Sequence, residues 1–342
     1  MTFKSRTKAI ALAPIHVAQL ASSAKSFLDN PLIGSQRLNR MGLHRVRVRL
    51  ADQLCRWRRR RLERHVRQEW REAFDRDGFV VIENLLPAEE FAAMRKAILE
   101  HEWLAREMQQ GDAITRRIAV GPEMLAAVPA LRRLYDRADL NALFHYVASF
   151  RTRPLHYVQT IVSRCGGEDR DPQQMLHADS FHASMKAWLF LRPVAQEDGP
   201  FTYVRGSHRF TPERLDWEHR RSLADPNSID RLSARGSPRV DAEELAQMRL
   251  PEPEGLALPE NTLVVADTGG FHARGAALRA GERVELWSYS RRNPFLPWLG
   301  GDLLSLPGLA ERRVEWLWAF RDRFEQQLGQ PWKRVGKRKP TD

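Results

Sequence analysis

His177 and Asp179 are the first residues of this sequence whose types and spacing could do chemistry, because one residue separates them. In an extended chain, side chains two positions apart point to the same face, so an imidazole and a carboxylate can bind one metal ion. A second imidazole from a distant part of the sequence would complete the two-histidine, one-carboxylate set of non-heme Fe(II) oxygenases. The alternative is a polar surface pair, since a chain with 11 histidines can contain a His-x-Asp spacing by chance.

The residues after this pair indicate a sheet that would position it. Residues 186–191 read Lys-Ala-Trp-Leu-Phe-Leu, which is typical of a buried strand, and Gly199-Pro200 mark a turn. The sequence then returns to a Gly-Ser-His corner that ends at His208. This order predicts a metal site on the rim of a β-barrel.

Composition restricts the class of protein. A length of 342 residues and a hydrophobic fraction of 42% indicate one large domain with extensions, or two smaller ones, around a substantial core. The formal net charge of +12 favours anionic partners, such as nucleic acid, lipid head groups or phosphorylated substrates. Cys55 and Cys165 lack Cys-x-x-Cys spacing, which disfavours a disulfide framework or a zinc knuckle and favours the cytoplasm. No apolar run approaches the roughly 20 residues of a membrane-spanning helix.

Residues 1–36 carry no clear motif, and the segment 37–73 that follows is rich in arginine. Apolar residues recur there at steps of three and four, which predicts a basic amphipathic helix over about 47–76. Three roles remain open for this helix: a solvated helix docked on the body, a helix on an anionic membrane surface, and a nucleic-acid-binding helix. Nucleic acid is the least favoured, because no aromatic stacking platform or known DNA-binding motif accompanies the basic residues.

Local patterns predict the remaining elements. Short apolar or alternating runs indicate strands over residues 79–82, 155–163, 262–267 and 282–290. Periodic patterns indicate helices over residues 88–103, within 121–151, and over 310–328. The basic tail 333–339 is predicted to be disordered. The charged insertion 211–259, with helical patches at 213–223 and 242–248, is predicted to be either a lid or a surface insertion.

Several of these features together resemble the phytanoyl-CoA hydroxylase family of Fe(II)/2-oxoglutarate dioxygenases. The matching motifs, spread over about residues 74–293, are Phe74-x-x-Asp77-Gly78-Phe-Val-Val-Ile82, His177-x-Asp179, Gly199-Pro-Phe, Gly206-Ser-His208, and His272 followed by Arg283. The resemblance implies a mainly β fold with flanking helices and a double-stranded β-helix (jelly-roll, cupin-like) core. The dioxygenase domain is therefore predicted over 74–300, and the residue pattern beyond it predicts a C-terminal helix and basic tail over 301–342.

The resemblance implies His177, Asp179 and His272 as iron ligands and catalytic residues. The cofactors it implies are Fe(II), the cosubstrate 2-oxoglutarate and dioxygen. The presence of Asp179 favours hydroxylation, because related halogenases replace this carboxylate to free a site for halide. The alternative for His272 is a core histidine satisfied by a backbone carbonyl.

Arg283 would bind the distal carboxylate of 2-oxoglutarate, a task suited to a planar bidentate donor. Arg274 and Arg279 are its competitors, but Arg283 lies within a predicted strand and can point rigidly into the barrel. The alternative is a surface ion pair between Arg283 and Glu285.

Two further residues are candidate substrate contacts, His182 and Lys186. His182 would line the substrate side of the iron or belong to a loop. Lys186 lies where it could meet an anionic substrate or the cosubstrate. His208 belongs to the corner motif and is predicted to be structural.

The run 176–191, together with Trp217-Glu218, resembles a bacterial branch of the family. This branch includes enzymes that hydroxylate the Kdo sugar of lipopolysaccharide at the cytosolic face of the inner membrane. The resemblance therefore implies an anionic, lipid-linked substrate and peripheral membrane contact through the basic helix 47–76. The alternatives are an acyl-CoA or small secondary metabolite as substrate, a non-catalytic metal-binding or sensing protein, and a nucleic-acid demethylase.

Overall fold

The protein, described by a computed structural model over residues 13–164 and 171–341, contains two antiparallel sheets that face each other. The large sheet has the strand order β1-β8-β5-β10-β4-β3-β2-β11, and the small sheet has the order β7-β6-β9. The strands are β1 Phe79–Ile82, β2 Trp103–Gln110, β3 Ala113–Ala119, β4 Leu155–Ser163, β5 Met185–Phe190, β6 Phe201–Tyr203, β7 Glu254–Gly255, β8 Leu263–Asp267, β9 His272–Arg274, β10 Gly281–Ser290 and β11 Lys333–Arg338. This arrangement is the predicted double-stranded β-helix.

The two faces of the large sheet have different partners. Val284 and Leu286 on β10 point outward into a core shared with helices. The next side chain along β10, Trp287, points inward to the core between the two sheets. In that core the ring centroids of Trp188 and Phe201 are 4.3 Å apart. Because successive side chains of a strand point to opposite faces, the alternation predicted for residues 282–290 produces one helix-packed face and one face inside the barrel.

Helices cover the outer face of the large sheet and the ends of the barrel. Their ranges are Gln36–Arg40, Leu43–Leu62, Gln68–Asp77, Ala88–Glu100, Pro122–Ala127, Pro129–Asp136, Ala138–Ala148, Pro212–Ser222, Arg231–Ala234, Ala242–Gln247, Arg313–Arg323 and Glu325–Leu328. Residues 13–20 are also helical. Among the described residues, none of these helices combines the length and the apolar character needed to cross a bilayer.

The prediction of one continuous basic helix over 47–76 is wrong. The structure has two helices, Leu43–Leu62 and Gln68–Asp77, separated by a 3-10 turn and by Val66 in an extended conformation. Val66 is buried in the same core as Leu62. The apolar period therefore continues across the break, and no proline or glycine marks the change of direction, so periodicity alone could not reveal it.

The helix Leu43–Leu62, called the basic helix below, uses several of its arginines to bind the body of the protein. Arg58 is almost completely buried and donates hydrogen bonds to the carbonyl oxygens of Ser149, Pro294 and Leu296. Arg59 forms an ion pair of 2.8 Å with Asp267 at the end of β8. These contacts agree with the docked-helix role among the three left open by the sequence.

Two parts of the sheet were not predicted. β2 and β3 form a hairpin around Gly111, whose φ of 56° suits the left-handed turn, and no strand was predicted there. The prediction of a disordered basic tail is wrong, because residues 333–338 form β11 on the edge of the large sheet beside β2. The sequence shows a run of like charges, but an open sheet edge supplies the backbone hydrogen bonds that order it.

The predicted helix 310–328 is divided in the structure. It begins with a 3-10 turn at residues 310–312, continues as Arg313–Arg323, and breaks at Phe324 before Glu325–Leu328. The backbone of Phe324, with φ −116° and ψ 35°, is not helical, so the chain turns there. The short helix Glu325–Leu328 then precedes β11.

The charged insertion 211–259 packs on the barrel close to the predicted metal site. Its helices Pro212–Ser222 and Ala242–Gln247 match the predicted patches to within one residue at each end. Trp217 from the insertion is buried against Phe271, with ring centroids 5.1 Å apart. An apolar core therefore anchors the insertion to the chain beside His272.

Candidate metal centre and surrounding cavity

Backbone pairing brings His177 and His272 side by side. The N–H group of each residue donates a hydrogen bond of 3.0 Å to the carbonyl oxygen of the other. The two imidazole rings consequently lie 4.5 Å apart between centroids. The N–H group of Asp179 donates to the carbonyl oxygen of Thr268 at 2.8 Å, which fixes the third residue against the same part of the barrel.

The candidate ligand atoms of these three side chains converge. Nε2 of His177 is 3.9 Å from Oδ1 of Asp179, and Nε2 of His272 is 3.8 Å from Oδ2 of Asp179. One ligand atom from each residue lies within 4.8 Å of the other two. Two imidazoles and one carboxylate are the donor set preferred by non-heme Fe(II), so the residues present fit that ion.

Both histidines are prepared to bind a metal through Nε2. Nδ1 of His177 donates to the carbonyl oxygen of Met175 at 2.8 Å, and Nδ1 of His272 donates to that of Gly270 at 3.1 Å. Because a carbonyl oxygen only accepts, each Nδ1 carries the proton and each Nε2 keeps its lone pair. Burial holds the pKa of His177 well below its usual value and lowers that of His272 to about 4, so both rings are neutral at pH 7.

Two lysines approach Asp179. Nζ of Lys186 lies 2.6 Å from Oδ2 of Asp179, and Nζ of Lys25 donates to the backbone carbonyl oxygen of the same residue. Burial by itself would raise the pKa of Asp179, but the positive charge of the adjacent Lys186 opposes this effect, and the pKa lies well below its usual value. Asp179 is therefore a carboxylate with a fixed orientation.

Arg283 lies inside the barrel, on the inward face of β10. Its Nε donates to Oε2 of Glu285 at 2.9 Å, and its Nη1 donates to the carbonyl oxygen of Gly199. The ion pair with Glu285 considered from the sequence therefore exists, but it is buried rather than on the surface. Within the described residues Nη2 of Arg283 has no hydrogen-bond partner, and Arg283 lines the same cavity as His177.

The two competing arginines lie in different places. Arg274 lines the cavity but forms an ion pair of 2.5 Å with Asp171. Arg279 is exposed and pairs with Asp198 at 2.7 Å, outside the cavity. Of these two competitors, the structure therefore brings only Arg274 into the neighbourhood of Arg283.

His182 is not among the residues that line this cavity. The ring is buried against Phe181, and its Nδ1 donates to the carbonyl oxygen of Ala183 at 3.0 Å. Burial and the charge of Arg291 lower the pKa of His182 to about 3, so it is neutral. The structure thus places Lys186, but not His182, beside the candidate metal ligands.

The triad opens into a cavity of about 460 Å³ with an aromatic wall and a positive charge. The aromatic wall includes Tyr157, Trp188, Phe201 and Trp287, whereas Asp179 is the one acidic residue among the lining residues. Basic residues of the lining are Lys25, Arg117, Lys186, Arg274, Arg283, Arg291 and Arg321. The cavity is therefore suited to a ligand that is both anionic and large enough to contact aromatic rings.

Four of the basic residues, Lys25, Arg117, Arg291 and Arg321, have no carboxylate within ion-pair distance among the described residues. Arg117 instead lies over the ring of Trp287, 4.1 Å from its centroid. None of the four is predicted as a site residue by the sequence motifs. Arg117 lies on β3, where no strand was predicted, and the other three lie outside every recognised motif.

Lys25 reaches the cavity because Arg47 of the basic helix holds the preceding segment. The Arg47 guanidinium donates to carbonyl oxygens within residues 20–24 at 2.9, 3.2 and 2.7 Å. On the other side, a Cβ atom at Gly236 would lie 2.2 Å from the carbonyl oxygen of Lys25, so only glycine permits this close approach. Burial and the charge of Arg291 lower the pKa of Lys25 to about 8.

Comparison with protein families gives a match to the phytanoyl-CoA dioxygenase (PhyH) family over residues 74–249, just over half of the chain. The chain belongs to the phytanoyl-CoA dioxygenase family. It is therefore a non-heme iron dioxygenase that uses Fe(II), 2-oxoglutarate and dioxygen, as the motifs predicted. The matched range ends before His272 and Arg283, so the positions of these two residues come from the geometry described above.

Several solved structures are similar to the chain. The epimerase SnoN from nogalamycin biosynthesis is 19% identical, with 68% of this chain and 83% of SnoN covered and a TM-score of 0.42. HygX from Streptomyces hygroscopicus, bound to nickel, 2-oxoglutarate and hygromycin B, is 19% identical, with 66% of this chain and 87% of HygX covered and a TM-score of 0.39. EctD from S. alaskensis, with 2-oxoglutarate and 5-hydroxyectoine, is 17% identical, with 66% of this chain and 76% of EctD covered and a TM-score of 0.40. No curated protein matches the chain.

Proposed function

We propose that this dioxygenase hydroxylates a C–H bond of an anionic, lipid-linked substrate, and that this substrate is the Kdo sugar of lipopolysaccharide. The observation that carries the proposal is the surplus of positive charge in the cavity, where four of the seven basic lining residues have no carboxylate within ion-pair distance among the described residues. The two carboxylates of 2-oxoglutarate would neutralise only part of this charge. A substrate with several anionic groups would neutralise the rest.

In this proposal His177, Asp179 and His272 are the protein ligands of Fe(II). When bound, the iron and 2-oxoglutarate activate dioxygen, and 2-oxoglutarate is decarboxylated to succinate while one C–H bond is hydroxylated. The three side chains would supply two neutral imidazoles and one carboxylate to Fe(II), a donor set that would leave net positive charge for an anionic keto acid. The hydrogen bonds from Nδ1 to backbone carbonyls keep both rings oriented.

Arg283 is the residue proposed to bind the distal carboxylate of 2-oxoglutarate. Its Nε and Nη1 are already held by Glu285 and by the carbonyl oxygen of Gly199. The guanidinium is thus fixed in orientation before the cosubstrate arrives, which reduces the entropy lost on binding. Its Nη2 remains available for a charge-assisted hydrogen bond to the carboxylate.

Lys186 is proposed to keep the metal-binding carboxylate in place, and Lys25, Arg291 and Arg321 are proposed to bind the anionic groups of the substrate. Lys186 already pairs with Asp179, whereas the other three lack a carboxylate partner within the described residues. The aromatic rings of Trp188 and Phe201 exclude water from the wall nearest the triad, where ring centroids of Phe201 and His272 are 6.0 Å apart. The contacts therefore divide into metal-holding, cosubstrate-binding and substrate-binding groups.

Turnover by the purified protein tests the proposal. The protein would be supplied with Fe(II), 2-oxoglutarate and a Kdo-containing lipid, and succinate release would be measured together with the gain of one oxygen atom by the lipid. An acyl-CoA, which is also multiply anionic, forms the comparison arm. Loss of both signals in His177→Ala, but not in Arg279→Ala at the exposed ion pair, is the expected result.

Each other outcome points to a different account. If only the acyl-CoA were hydroxylated, the proposed substrate would be an acyl-CoA and not the Kdo sugar. Succinate release that no anionic lipid stimulates would contradict the substrate proposal but leave the enzyme class intact. A protein that binds iron and never releases succinate with any of these substrates would favour a metal-binding or sensing role.

A further inference from the structure

The helix Arg313–Arg323 leaves one apolar face without a partner in the described chain. Trp316, Leu317, Phe320 and Phe324 are between 40% and 54% exposed. Trp316, Phe320 and Phe324 follow each other at steps of four and therefore share one stripe, and the rings of Phe320 and Phe324 lie 4.9 Å apart. These four residues are called the C-terminal apolar face below. The opposite side of the helix, with Val314 and Trp318, is buried.

The surroundings of the C-terminal apolar face are positively charged. Residues 310–341 contain nine basic and four acidic residues. Three of the acidic residues, Glu311, Asp322 and Glu325, are occupied by ion pairs, Glu325 with Lys333 of β11 at 2.7 Å. Lys337 and Arg338 on the same edge strand are exposed. Exposed aromatic and aliphatic side chains beside basic residues are the combination that binds the head-group region of an anionic bilayer.

The same helix also forms part of the cavity wall. Leu317 and Arg321, one turn apart, line the cavity that contains the metal-binding residues. A surface that touches the C-terminal apolar face would therefore lie next to this wall of the site. A head group in that surface could enter the cavity while its acyl chains remain in the bilayer.

From these observations, we propose that the C-terminal apolar face docks the enzyme on an anionic membrane surface, with the cavity mouth directed toward the lipid head groups. The proposal rests on the proposed function in one respect, because a lipid-linked substrate gives the docked orientation its purpose. The membrane contact predicted from the sequence thus moves from the basic helix to the other end of the chain.

The basic helix is the competing surface, and it is less well suited. It also exposes apolar residues, Val46, Leu50 and Trp57. However, Arg58 and Arg59 are committed to the body of the protein, and none of the helix's residues lines the cavity. A membrane bound at that surface would not be adjacent to the site.

A second copy of the chain is the other partner that could cover this apolar face. The excess of basic over acidic residues on this segment would oppose such pairing, because both copies would carry the same charge. An anionic bilayer has the complementary charge. The positive charge therefore favours the membrane over self-association.

Vesicle sedimentation with the full-length, iron-loaded protein tests the proposal. The probes are vesicles of phosphatidylcholine with phosphatidylglycerol, and vesicles of phosphatidylcholine alone. We expect binding to the anionic vesicles that weakens as salt is added. The double variant Trp316→Ser/Phe320→Ser should bind the anionic vesicles at least about tenfold more weakly than the wild type, because two aromatic side chains leave the head-group boundary. Neither residue lines the cavity, so succinate release should be unchanged.

The matched control is Leu50→Ser/Trp57→Ser, which removes two exposed apolar side chains from the basic helix. It should bind anionic vesicles like the wild type. Loss of binding in this control with retention in the C-terminal variant would overturn the proposal, as would a wild type that ignores anionic vesicles. A single Phe320→Glu variant provides a second test if the double variant does not fold.

Two further measurements distinguish membrane docking from self-association and from the substrate proposal. A wild-type dimer that Trp316→Ser/Phe320→Ser converts to a monomer, without vesicle binding, would assign the face to a second copy and overturn the membrane proposal. Vesicle binding requires no turnover, so binding by an enzyme that fails to hydroxylate the Kdo lipid would remove the substrate proposal and leave the docking surface intact.

Discussion

The guanidinium of Arg283 is held by the carboxylate of Glu285, two residues further along the same strand, at a distance of 2.9 Å inside the barrel. Glu285 is completely buried, and its second carboxylate oxygen accepts a hydrogen bond of 2.7 Å from Gln159. The alternation of β10 places Arg283 and Glu285 on one face. The proposed cosubstrate contact is thus part of a buried charged network, which affects how its substitution should be tested.

Replacement of Arg283 by Gln should raise the KM for 2-oxoglutarate by about 10- to 100-fold, because a charge-assisted hydrogen bond to a carboxylate is lost. The same substitution should lower the free energy of unfolding by about 3–5 kcal/mol, since Glu285 would keep a buried, unpaired charge. Steady-state kinetics with varied 2-oxoglutarate and thermal unfolding measure the two effects.

The double variant Arg283→Met/Glu285→Met separates stability from cosubstrate binding. Removal of both charges should restore most of the stability, while the defect in 2-oxoglutarate binding remains. If this variant recovered the wild-type KM, the proposed role of Arg283 would be wrong and its contribution would be structural.

Replacement of Lys186 by Met should weaken Fe(II) binding by about 10- to 100-fold, a typical cost of losing a group that orients a metal ligand. The 2.6 Å contact with Asp179 is the physical reason. Lys186→Arg should recover part of the affinity, because the positive charge beside the carboxylate remains. Anaerobic Fe(II) titration measures the affinity directly, and an unchanged value in Lys186→Met would exclude the orienting role.

Replacement of Lys25 by Met should raise the KM for the anionic lipid by about 10-fold, the effect of losing one charged hydrogen bond. The KM for 2-oxoglutarate should change little, because Arg283 is the proposed contact for that carboxylate. Arg279→Ala, which removes an exposed cation outside the cavity, is the matched control and should leave both values unchanged. An equal rise in both KM values for Lys25→Met would place Lys25 at the cosubstrate instead.

Stability should fall as the pH drops below about 6.5, in part because of His156. This histidine is stacked on Tyr135 with ring centroids 3.7 Å apart, and burial lowers its pKa to about 3. The pKa is depressed in the folded state, so the unfolded chain takes up a proton first and stability is lost between about pH 6.5 and pH 3. The expected loss is about 1.4 kcal/mol per pH unit for this histidine.

Chemical denaturation at several pH values measures this loss. His156→Gln should be less stable than the wild type at pH 7, because the stacked ring is gone, but its stability should decline less steeply below pH 6.5. His101→Gln, at an exposed histidine, is the control and should keep the slope of the wild type. A wild-type slope in His156→Gln would show that His156 does not titrate on unfolding.

The sequence predicted several strands and the proximity of His177 to Asp179 because both depend on short-range alternation, whereas the jelly-roll barrel was implied by the family motifs. The spacing of His177 and Asp179 determines their common face, and the strand pattern around Arg283 determines that it points inward. His272 was located through the family motif, since nothing local distinguishes it from a core histidine. Its meeting with His177 depends on a backbone pairing between distant segments.

Other features could not be predicted because they depend on partners that are remote in sequence. Lys25 reaches Asp179 because Arg47 clamps the segment before it, and no local pattern contains that contact. β11 forms because β2 offers an open edge, although the composition of residues 333–338 suggested disorder. The basic helix had the right composition for a membrane surface, but tertiary ion pairs use part of that charge.

The most direct test of the account is the iron content and succinate release of the purified protein, measured together. The wild type should bind a single Fe(II) per chain and release succinate with 2-oxoglutarate, whereas His177→Ala, Asp179→Ala and His272→Ala should each lose both properties while remaining folded. An iron content and a rate of succinate release that survive any of these three substitutions would contradict the proposed metal centre.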